Sequence, residues 1–408
     1  MDITVVDSIM GAGKTSYAIQ MMNEKFGENS KKKFIYVTPF IDEVKRIKKE
    51  VTNRKFLEPD EKKGQGSKLR HLKKLIQDGE NIVTTHSLFG MIDDEIEMLF
   101  KSYDYVLILD EVFKVIDEIK IGKDDVKILV ENYIKVDENG KVIWIVEGDY
   151  DGRYDDIRSL ALNDSLYTYG NNEFYYWCFP YRIFDLFEKT YILTYQFKYQ
   201  IQRYYYDLFN VKYECKSVKK TESKYELIEY KEDYEKIMKL KQLINIYEGK
   251  MNQNYYTKES KYNTELSYSW YLKATDAQIN QLKRNIENYF TKILKVKSEN
   301  TIWSCYKKDK SKLKGKGYTK SWTPYNLRAT NDYRNRTALA YMCNLYMNPF
   351  EQRFFSTYGV AIDNDGLALS TLFQWIFRSA IRDEKPIDIY IPSLRLRTLL
   401  YKYLNGEF

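Results

Sequence analysis

The segment ITVVDSIMGAGKT, residues 3–15, decides the fold class, because a short apolar strand runs directly into a glycine-rich loop followed by helical spacing. Glycines in such a loop adopt positive φ and let the backbone approach an anion, while successive N–H groups supply partial positive charge. Lys14 would reach the β and γ phosphates of ATP, and the Thr15 hydroxyl would hold Mg²⁺. The predicted cofactor-binding residues are Ser8, Gly11, Ala12, Gly13, Lys14, Thr15 and Ser16. The competing interpretation is a glycine turn that only ends a strand.

The segment YVLILDE, residues 105–111, is an apolar run that ends in two carboxylates. A buried parallel strand delivers its last residues to the carboxyl edge of the sheet, where ligands bind in α/β proteins. Asp110 would bind Mg²⁺ through its water shell, and Glu111 would orient and deprotonate the attacking water. Taken alone, acids at the end of a strand more often mark a strand that meets solvent. The phosphate loop upstream favours the catalytic interpretation.

The composition indicates a folded chain with more than one domain. The 408 residues suffice for two or three domains, and 44% hydrophobic with 30% charged residues is typical of globular proteins. The four cysteines lie far apart, which argues against a zinc site or a closely spaced redox pair. Neither a signal peptide nor a membrane span is visible, so we expect a cytoplasmic protein, in the host cytoplasm if it is viral. The net charge of +7 suits a polyanionic partner without establishing one, and an AT-rich coding sequence explains the 39 tyrosines.

Short apolar runs alternate with amphipathic helical stretches from residue 1 to about 197, which is typical of a parallel α/β sheet. The predicted strands of this first lobe, residues 1–197, are residues 3–7, 34–39, 81–86, 105–111, 142–149 and 190–197. After Phe197 the chain becomes rich in tyrosine and lysine, and we place a second lobe over residues 198–408. Its predicted strands are residues 211–218, 301–306, 337–347 and 386–392, and its predicted helices include residues 276–294 and 367–381.

Several segments in a fixed order resemble superfamily 2 helicases, and more closely a group of DEAD/DEAH-type helicase-like ATPases of bacteriophages. The segments are SIMGAGKT, IYVTPFIDEV, IVTTHSLF, LILDEV, ILTYQF, RATNDYRNR and ALSTLFQWIFRSAIR. The resemblance implies an α/β fold of two tandem RecA-like lobes, each a mostly parallel sheet flanked by helices. It also implies that ATP is held between the lobes and that nucleic acid runs across both.

The resemblance implies nucleic-acid contacts at the ends of several strands. The residues concerned are Thr38, Pro39, Thr84, Thr85, His86 and Ser87 in the first lobe and Asn331 in the second, where the resemblance also places Arg328 near the interface. Short hydroxyls and backbone N–H groups suit this contact because they grip phosphate without reading sequence. A β-branched residue ending a strand explains each threonine equally well, and a structural role explains His86 equally well. By the same resemblance Thr194 couples the nucleotide site to the nucleic-acid path, although a plain core strand would also place it there.

The resemblance further implies an arginine finger in the second lobe. Gln374, Arg378 and Arg382 follow one another at steps of four, so they are predicted to line one face of an exposed helix. An arginine there would stabilise charge on the γ-phosphate in the transition state. The family pattern places arginines four and seven positions after the glutamine, whereas position 381 is Ile381 here. We expect Arg382 to be the finger and Arg378 to support it; the alternative is a basic helix face paired with carboxylates.

A lysine-rich segment, residues 307–320, lies between two predicted elements of the second lobe. It either grips a phosphate backbone, with an affinity that falls steeply with salt, or is a solvated loop.

Together these features predict an ATP-dependent helicase or translocase that uses ATP and Mg²⁺. The expected partner is single-stranded or junction DNA in phage replication or recombination; RNA is not excluded, and other replication proteins are further candidates. One alternative is an ATP-gated nucleic-acid-binding protein that does not unwind. Another is a DNA-packaging motor ATPase, which should lack the glutamine–arginine segment, and no acid cluster indicates the nuclease domain that would support it.

Overall fold

The chain divides into two compact units in the computed structural model, which describes residues 1–252, 264–327 and 332–408. The first unit comprises Met1–Lys231 and Asn348–Ile362, and the second comprises Glu232–Met347 and Asp363–Phe408. The first unit therefore extends beyond the predicted boundary at Phe197 and takes in a later segment of the chain. Among the described residues, no helix is long and apolar enough to cross a membrane.

The part of the chain before Lys231 alternates strands and helices, as the sequence pattern predicts for an α/β fold. Its strands are β1 (Ile3–Asp7), β2 (Lys33–Thr38), β3 (Phe56–Leu57), β4 (Asn81–Thr85), β5 (Tyr105–Asp110), β6 (Ile116–Ile119), β7 (Ile134–Val136), β8 (Val142–Trp144), β9 (Leu166–Tyr169), β10 (Phe174–Cys178), β11 (Lys189–Thr194), β12 (Glu214–Lys220) and β13 (Tyr225–Glu229). Its helices are α1 (Lys14–Met22), α2 (Ile41–Glu50), α3 (Lys68–Gln77), α4 (His86–Phe89), α5 (Asp94–Phe100), α6 (Lys123–Asn132), α7 (Asp155–Leu162) and α8 (Ile201–Leu208).

The large sheet of the first unit has the strand order β13-β12-β1-β11-β5-β2-β4-β3. Its neighbouring strands are parallel except β12 and β13, which pair antiparallel. The central strands form unbroken apolar runs because helices cover the sheet; Met22 of α1 and Ile47 of α2, for example, share a core with Ile108 of β5. Asp7 pairs in register with Thr194, and Asp110 with Leu193, so the carboxyl ends of β1, β11 and β5 lie level at one edge.

The segment predicted to open the second lobe, residues 211–218, instead joins this sheet. Strand β12 pairs in parallel with β1, with Thr4 opposite Glu214. The Thr4 hydroxyl donates to the Glu214 carboxylate at 2.8 Å across that pair. The position of the unit boundary follows from this pairing, which no feature of the strand's own sequence specifies.

The prediction of a sheet strand over residues 142–149 is wrong. Only Val142–Trp144 is a strand, and it pairs antiparallel with β7, outside the large sheet. The Asp137 carboxylate accepts hydrogen bonds from the backbone N–H groups of Asn139 and Lys141, at 2.9 and 2.8 Å, and so closes a tight turn between the two strands. Ile145 is exposed, so the apolar run does not indicate a buried strand here.

An insertion between β5 and β11 holds this hairpin and an antiparallel sheet of order β6-β10-β9. Its core is aromatic: Tyr133 stacks on Trp144 with ring centroids 5.3 Å apart, and Tyr154 packs on Tyr133 at 5.7 Å. These rings share a buried cluster with Leu129 of α6 and neighbouring apolar side chains. Tyrosines in this region therefore fill a core, whatever the origin of their abundance.

The part of the chain after Lys231 builds the second unit around another parallel sheet. Its elements in order are α9 (Tyr234–Leu243), β14 (Ile244–Ile246), α10 (Tyr268–Lys273), α11 (Asp276–Asn288), β15 (Thr301–Ser304), α12 (Lys310–Leu313), β16 (Trp322–Thr323), β17 (Ala338–Tyr341), α13 (Pro349–Thr357), α14 (Asn364–Ile376), β18 (Ile387–Tyr390) and α15 (Leu394–Leu404). Helix α13 belongs to the first unit, where the Tyr169 hydroxyl donates to the Phe350 carbonyl at 3.0 Å. The sheet order is β14-β18-β17-β15-β16, with parallel neighbours throughout.

The predicted helix over residues 367–381 ends early, and the prediction that Gln374, Arg378 and Arg382 share one helix face is wrong. Helix α14 stops at Ile376, and Arg382 lies in a separate 3-10 turn, Ala380–Asp383. The backbone at Ser379 is extended, and the Ala380 N–H donates to the Arg336 carbonyl at 2.9 Å instead of continuing the helix. This bond to a distant residue replaces the local helical bond, which spacing alone could not indicate.

The predicted fold class, two α/β units each with a mostly parallel sheet and flanking helices, is confirmed. The carboxyl ends of the parallel strands in the first unit are where the predicted nucleotide residues lie.

Candidate active site

The loop between β1 and α1 has the backbone shape that wraps an anion. Gly11 has φ 79° and Gly13 has φ 104°, conformations that L side chains adopt only with strain. The Ala12 N–H donates to the Ile9 carbonyl at 3.1 Å, so the loop doubles back before the helix begins at Lys14. Thr15 and Ser16 lie partly exposed in the first turn of that helix. The predicted phosphate loop therefore has the local geometry that its glycines require.

The Lys14 ammonium group folds back over this loop. It donates to the carbonyl oxygens of Ser8 and Ile9, at 2.5 and 3.4 Å. Carbonyl oxygens satisfy an ammonium group but do not neutralise it, so a phosphate oxygen would compete favourably for the same group. Lys14 is thus held at the loop in a position from which it can move onto a phosphate chain.

The hairpin of β12 and β13 supports the loop from the side, a feature that sequence reasoning missed. The Val218 N–H donates to the Ser8 hydroxyl at 2.8 Å. The Gln20 side-chain amide exchanges two hydrogen bonds with the Tyr225 backbone, at 2.7 and 2.9 Å. A Cβ built on Gly13 would lie 2.2 Å from the Tyr225 ring, so that ring packs directly against the glycine. Glycine is required here both by its φ and by this close approach.

Asp110 at the end of β5 lies in the electric field of the loop. Burial, together with the charges of Glu111 and Glu43, raises the pKa of Asp110 to about 7, although a hydrogen bond from Tyr36 and the Lys14 charge oppose the rise. The Thr38 hydroxyl donates to the Asp110 carboxylate at 3.4 Å. A carboxylate whose charge is disfavoured in this way gains from a nearby cation, which fits a divalent metal site.

The donor types also fit Mg²⁺, which takes hydroxyl and carboxylate oxygens and keeps phosphate oxygens and water as its other ligands. Thr15 and Asp110 are the residues that would hold it. Among the described residues no cluster of three or more metal-ligating His, Cys, Asp or Glu side chains occurs. A site completed by phosphate and water needs no such cluster.

Glu111 follows Asp110 in a strained backbone conformation. Its φ is 67°, in the left-handed region, and its N–H donates to the Leu193 carbonyl of β11 at 2.9 Å. Strain of this kind in a residue with a side chain clusters at functional sites. The geometry fixes the Glu111 backbone at the carboxyl edge of the sheet, where the sequence predicts a general base.

The end of β11 is tied to the loop by contacts that sequence reasoning also missed. The Ser8 N–H donates to the Thr194 carbonyl at 3.2 Å, which places Thr194 next to the loop, while its coupling role stays a prediction. The carboxylate of Asp7 accepts from the backbone N–H groups of Gln196 and Phe197, both at 2.8 Å. The three strand ends β1, β11 and β5 are therefore joined into one edge.

The predicted nucleic-acid residues of the first unit differ in accessibility. Thr38 and Thr84 are buried, and the Thr38 hydroxyl is engaged at Asp110. Thr85 caps α4 by accepting from the Leu88 N–H at 3.4 Å, and the His86 ring packs edge-on against Phe113. The predicted residues with exposed or partly exposed surface are Pro39, Thr85, His86 and Ser87. Asn331 and Arg328 lie outside the described residues.

The residues predicted around the arginine finger differ in how exposed their side chains are. Gln374 is buried and donates to the Ser370 hydroxyl at 3.2 Å, and Arg378 is also buried. Arg382 keeps partial exposure in its 3-10 turn. The proposed role of these residues at the γ-phosphate stays a prediction.

The lysine-rich segment, residues 307–320, is folded onto the second unit. The Lys308 ammonium lies 3.3 Å from the centre of the Tyr268 ring, and that of Lys310 lies 4.1 Å from the Trp322 ring. Lys312 pairs with the buried Asp309 at 3.1 Å. Other lysines of the segment are exposed, namely Lys307, Lys314, Lys316 and Lys320. Both cationic and aromatic groups are thus presented on one folded surface segment.

Comparison with known proteins shows which families this chain is similar to. Residues 2–143 match the family model described as "Type III restriction enzyme, res subunit", residues 116–177 match "YonV middle domain", and residues 238–404 match "YonV C-terminal Rossmann-like domain". The middle-domain match coincides with the insertion from β6 to β10. Xpd4 of S. tokodaii, a solved structure, is 13% identical with a TM-score of 0.43, over 99% of this chain and 94% of that one.

The restriction-subunit match supports the predicted helicase-like superfamily, and the Rossmann-like description agrees with the parallel sheet of the second unit. The chain is also 40% identical over 419 residues to the "SPbeta prophage-derived uncharacterized protein YonV" of Bacillus subtilis (strain 168), covering 99% of each protein. The prophage origin of that relative agrees with the predicted bacteriophage resemblance. With two tandem RecA-like units and this near-complete match, the chain belongs to the YonV family.

Proposed function

We propose that this protein is a nucleic-acid-stimulated ATPase of the DEAD/DEAH-like helicase type, acting on single-stranded or junction DNA in the host cytoplasm during phage replication or recombination. One observation supports this most strongly. A loop with two positive-φ glycines and Lys14 bound to its carbonyl oxygens lies beside Asp110, whose raised pKa of about 7 reflects burial and neighbouring acids that a cation would offset. This combination suits a triphosphate accompanied by a divalent metal.

In the proposed reaction the loop N–H groups and Lys14 bind the β and γ phosphates of ATP. Thr15 and Asp110 would hold Mg²⁺, which would supply positive charge to offset that of the phosphates. Glu111, fixed at the next strand end, accepts a proton from the attacking water. Arg382, as the partly exposed member of its pair, is the proposed finger, while the buried Arg378 and Gln374 support its segment.

Nucleic acid would bind through groups that grip phosphate without reading sequence. In the first unit these are the accessible Pro39, Thr85, His86 and Ser87. In the second unit they are the exposed lysines of residues 307–320, with Asn331 carried over from the resemblance. The ring of Tyr268, which is 55% exposed beside Lys308, offers a surface on which a base could stack.

The test is steady-state ATP hydrolysis by the full chain, with and without single-stranded DNA, and with Lys14→Ala as the control. We expect stimulation by DNA and loss of hydrolysis in Lys14→Ala, because the loop loses its mobile charge. Near wild-type turnover in that variant would refute the phosphate-loop assignment. A strand-displacement assay with ATP then separates a helicase from an ATP-gated binding protein, since only the former releases the paired strand.

A further inference from the structure

Gln196 occupies a position at the candidate site to which the sequence assigns no role. It follows β11 by two residues, and β11 lies between β1 and β5 in the sheet. Thr194 is in register with Asp7, directly before the phosphate loop, and Leu193 is in register with Asp110. Gln196 therefore leaves the sheet at the carboxyl edge, between the loop and Glu111.

The backbone of Gln196 is held in a conformation that a residue with a side chain adopts only when its surroundings impose it. Its φ and ψ are 53° and 51°, in the left-handed region. The carboxylate of Asp7 imposes this conformation by accepting from the N–H groups of Gln196 and Phe197, each at 2.8 Å. Because Asp7 is covalently next to Ser8, the position of Gln196 is tied to that of the phosphate loop.

The side chain of Gln196 is only 2% exposed, yet its Oε1 atom has no hydrogen-bond partner. The hydroxyl of Thr194, two residues earlier, is likewise buried without a partner. Buried polar groups are normally paired, so an amide oxygen left unpaired in a strained segment calls for a ligand that supplies the partner. A nucleotide and its attacking water bring donors and acceptors to this edge of the sheet.

We propose that Gln196 is a catalytic residue that orients the water attacking the γ-phosphate; this inference rests on the proposed ATPase function. The amide oxygen accepts a hydrogen bond from the water, and the amide N–H₂ donates to a γ-phosphate oxygen. Glu111 on the neighbouring strand accepts the proton as the bond to phosphorus forms and the bond to the leaving ADP oxygen breaks. Glutamine is used in this way by other phosphate-loop enzymes.

The decisive variant is Gln196→Gly, which removes the amide and fits the left-handed backbone better than glutamine does. The chain supplies a matched control in Gln65→Gly, because Gln65 is also left-handed, with φ 51°, but is exposed in a loop elsewhere in the first unit. For Gln196→Gly we expect kcat to fall about 100-fold or more at saturating ATP. We expect its KM, its affinity for a non-hydrolysable ATP analogue and its melting temperature to stay near wild type, and Gln65→Gly to keep wild-type kcat.

A Gln196→Gly protein with kcat within twofold of an active wild type would overturn the inference and leave the ATPase function standing. A fall in analogue affinity and melting temperature together with kcat would also overturn it, since it would mark Gln196 as structural. A wild-type protein that hydrolyses no ATP under any nucleic-acid condition would refute the proposed function and this inference with it.

Discussion

The contact between Gly13 and Tyr225 allows a quantitative test of the phosphate loop. In Gly13→Ala the new methyl group would lie 2.2 Å from one ring carbon of Tyr225 and 2.7 Å from another, so the ring or the loop must move. Overpacking of this kind costs about 1–3 kcal/mol. The positive φ of 104° adds about 1–2 kcal/mol for any L side chain. The expected loss in the free energy of unfolding is therefore about 2–5 kcal/mol.

Gly66→Ala is the matched control, because Gly66 has φ +89° and nothing lies within 4 Å of a Cβ built on it. In Gly66→Ala the free energy of unfolding should fall only by the conformational cost of the positive φ, about 1–2 kcal/mol. Differential scanning calorimetry measures the unfolding transitions of both variants. Because Gly66 lies in the first unit, the transition whose temperature Gly66→Ala lowers is the unfolding of that unit. Adding Tyr225→Ala to each variant isolates the steric cost in a double-mutant cycle. We expect a coupling energy of about 1–3 kcal/mol between Gly13→Ala and Tyr225→Ala, and none between Gly66→Ala and Tyr225→Ala.

Nucleotide binding provides the second readout for the same variants. Gly13→Ala should weaken ATP binding, because the loop no longer fits the phosphates, while Gly66→Ala should leave it unchanged. If Gly13→Ala destabilises no more than Gly66→Ala, or if its coupling to Tyr225 is zero, the close packing of the ring on the loop is refuted.

The remaining predictions concern other parts of the proposed mechanism. Glu111→Gln should lower turnover about 100-fold or more while ATP and Mg²⁺ binding, measured by calorimetric titration, persists; joint loss of both would make Glu111 structural. Arg382→Ala should lower kcat about 1,000-fold. Arg378→Ala should mainly lower the melting temperature, because the Arg378 side chain is buried. Normal ATP hydrolysis by both variants in the presence of nucleic acid would exclude an arginine finger here. The last variant replaces the exposed Lys307, Lys314, Lys316 and Lys320 by glutamine. The slope of log affinity for single-stranded DNA against log salt concentration should then become shallower by about 0.7 for each phosphate that a lysine no longer neutralises. An unchanged slope would show that the segment is a solvated loop that does not bind DNA.

Four strands of the first unit could be predicted almost to the residue, whereas β11 ends three residues before its predicted limit. Strands β1, β2, β4 and β5 begin and end within one residue of their predicted limits. A parallel strand buried on both faces must be apolar along its whole length, so its sequence marks both ends. The backbone shape of the candidate phosphate loop could be predicted for a related reason, since its strand, glycines, lysine and helix are contiguous.

Elements whose ends or partners depend on distant residues were predicted less well. Residues 142–149 were predicted to form a buried strand, because apolar composition does not distinguish a partly exposed hairpin from a core strand. Helix α14 ends at Ile376 although the arginine spacing continues, and the Ala380 N–H bonds to the distant Arg336 carbonyl instead of continuing the helix. The first error came from an ambiguous local pattern, and the second arose where a tertiary contact overrode a local pattern.

The sequence by itself determined the fold class and the residues that a phosphate loop and an acidic strand require, because both are local motifs with fixed spacing. Only the tertiary structure decided what surrounds them. The bond that Gln196 donates to Asp7 spans 189 positions, and those between Gln20 and Tyr225 span 205. Contacts across such separations leave no periodicity in the sequence, since they are set by which strands pair. The shape of the site therefore follows from the neighbours of β1, namely β11 and β12, and not from the loop motif alone.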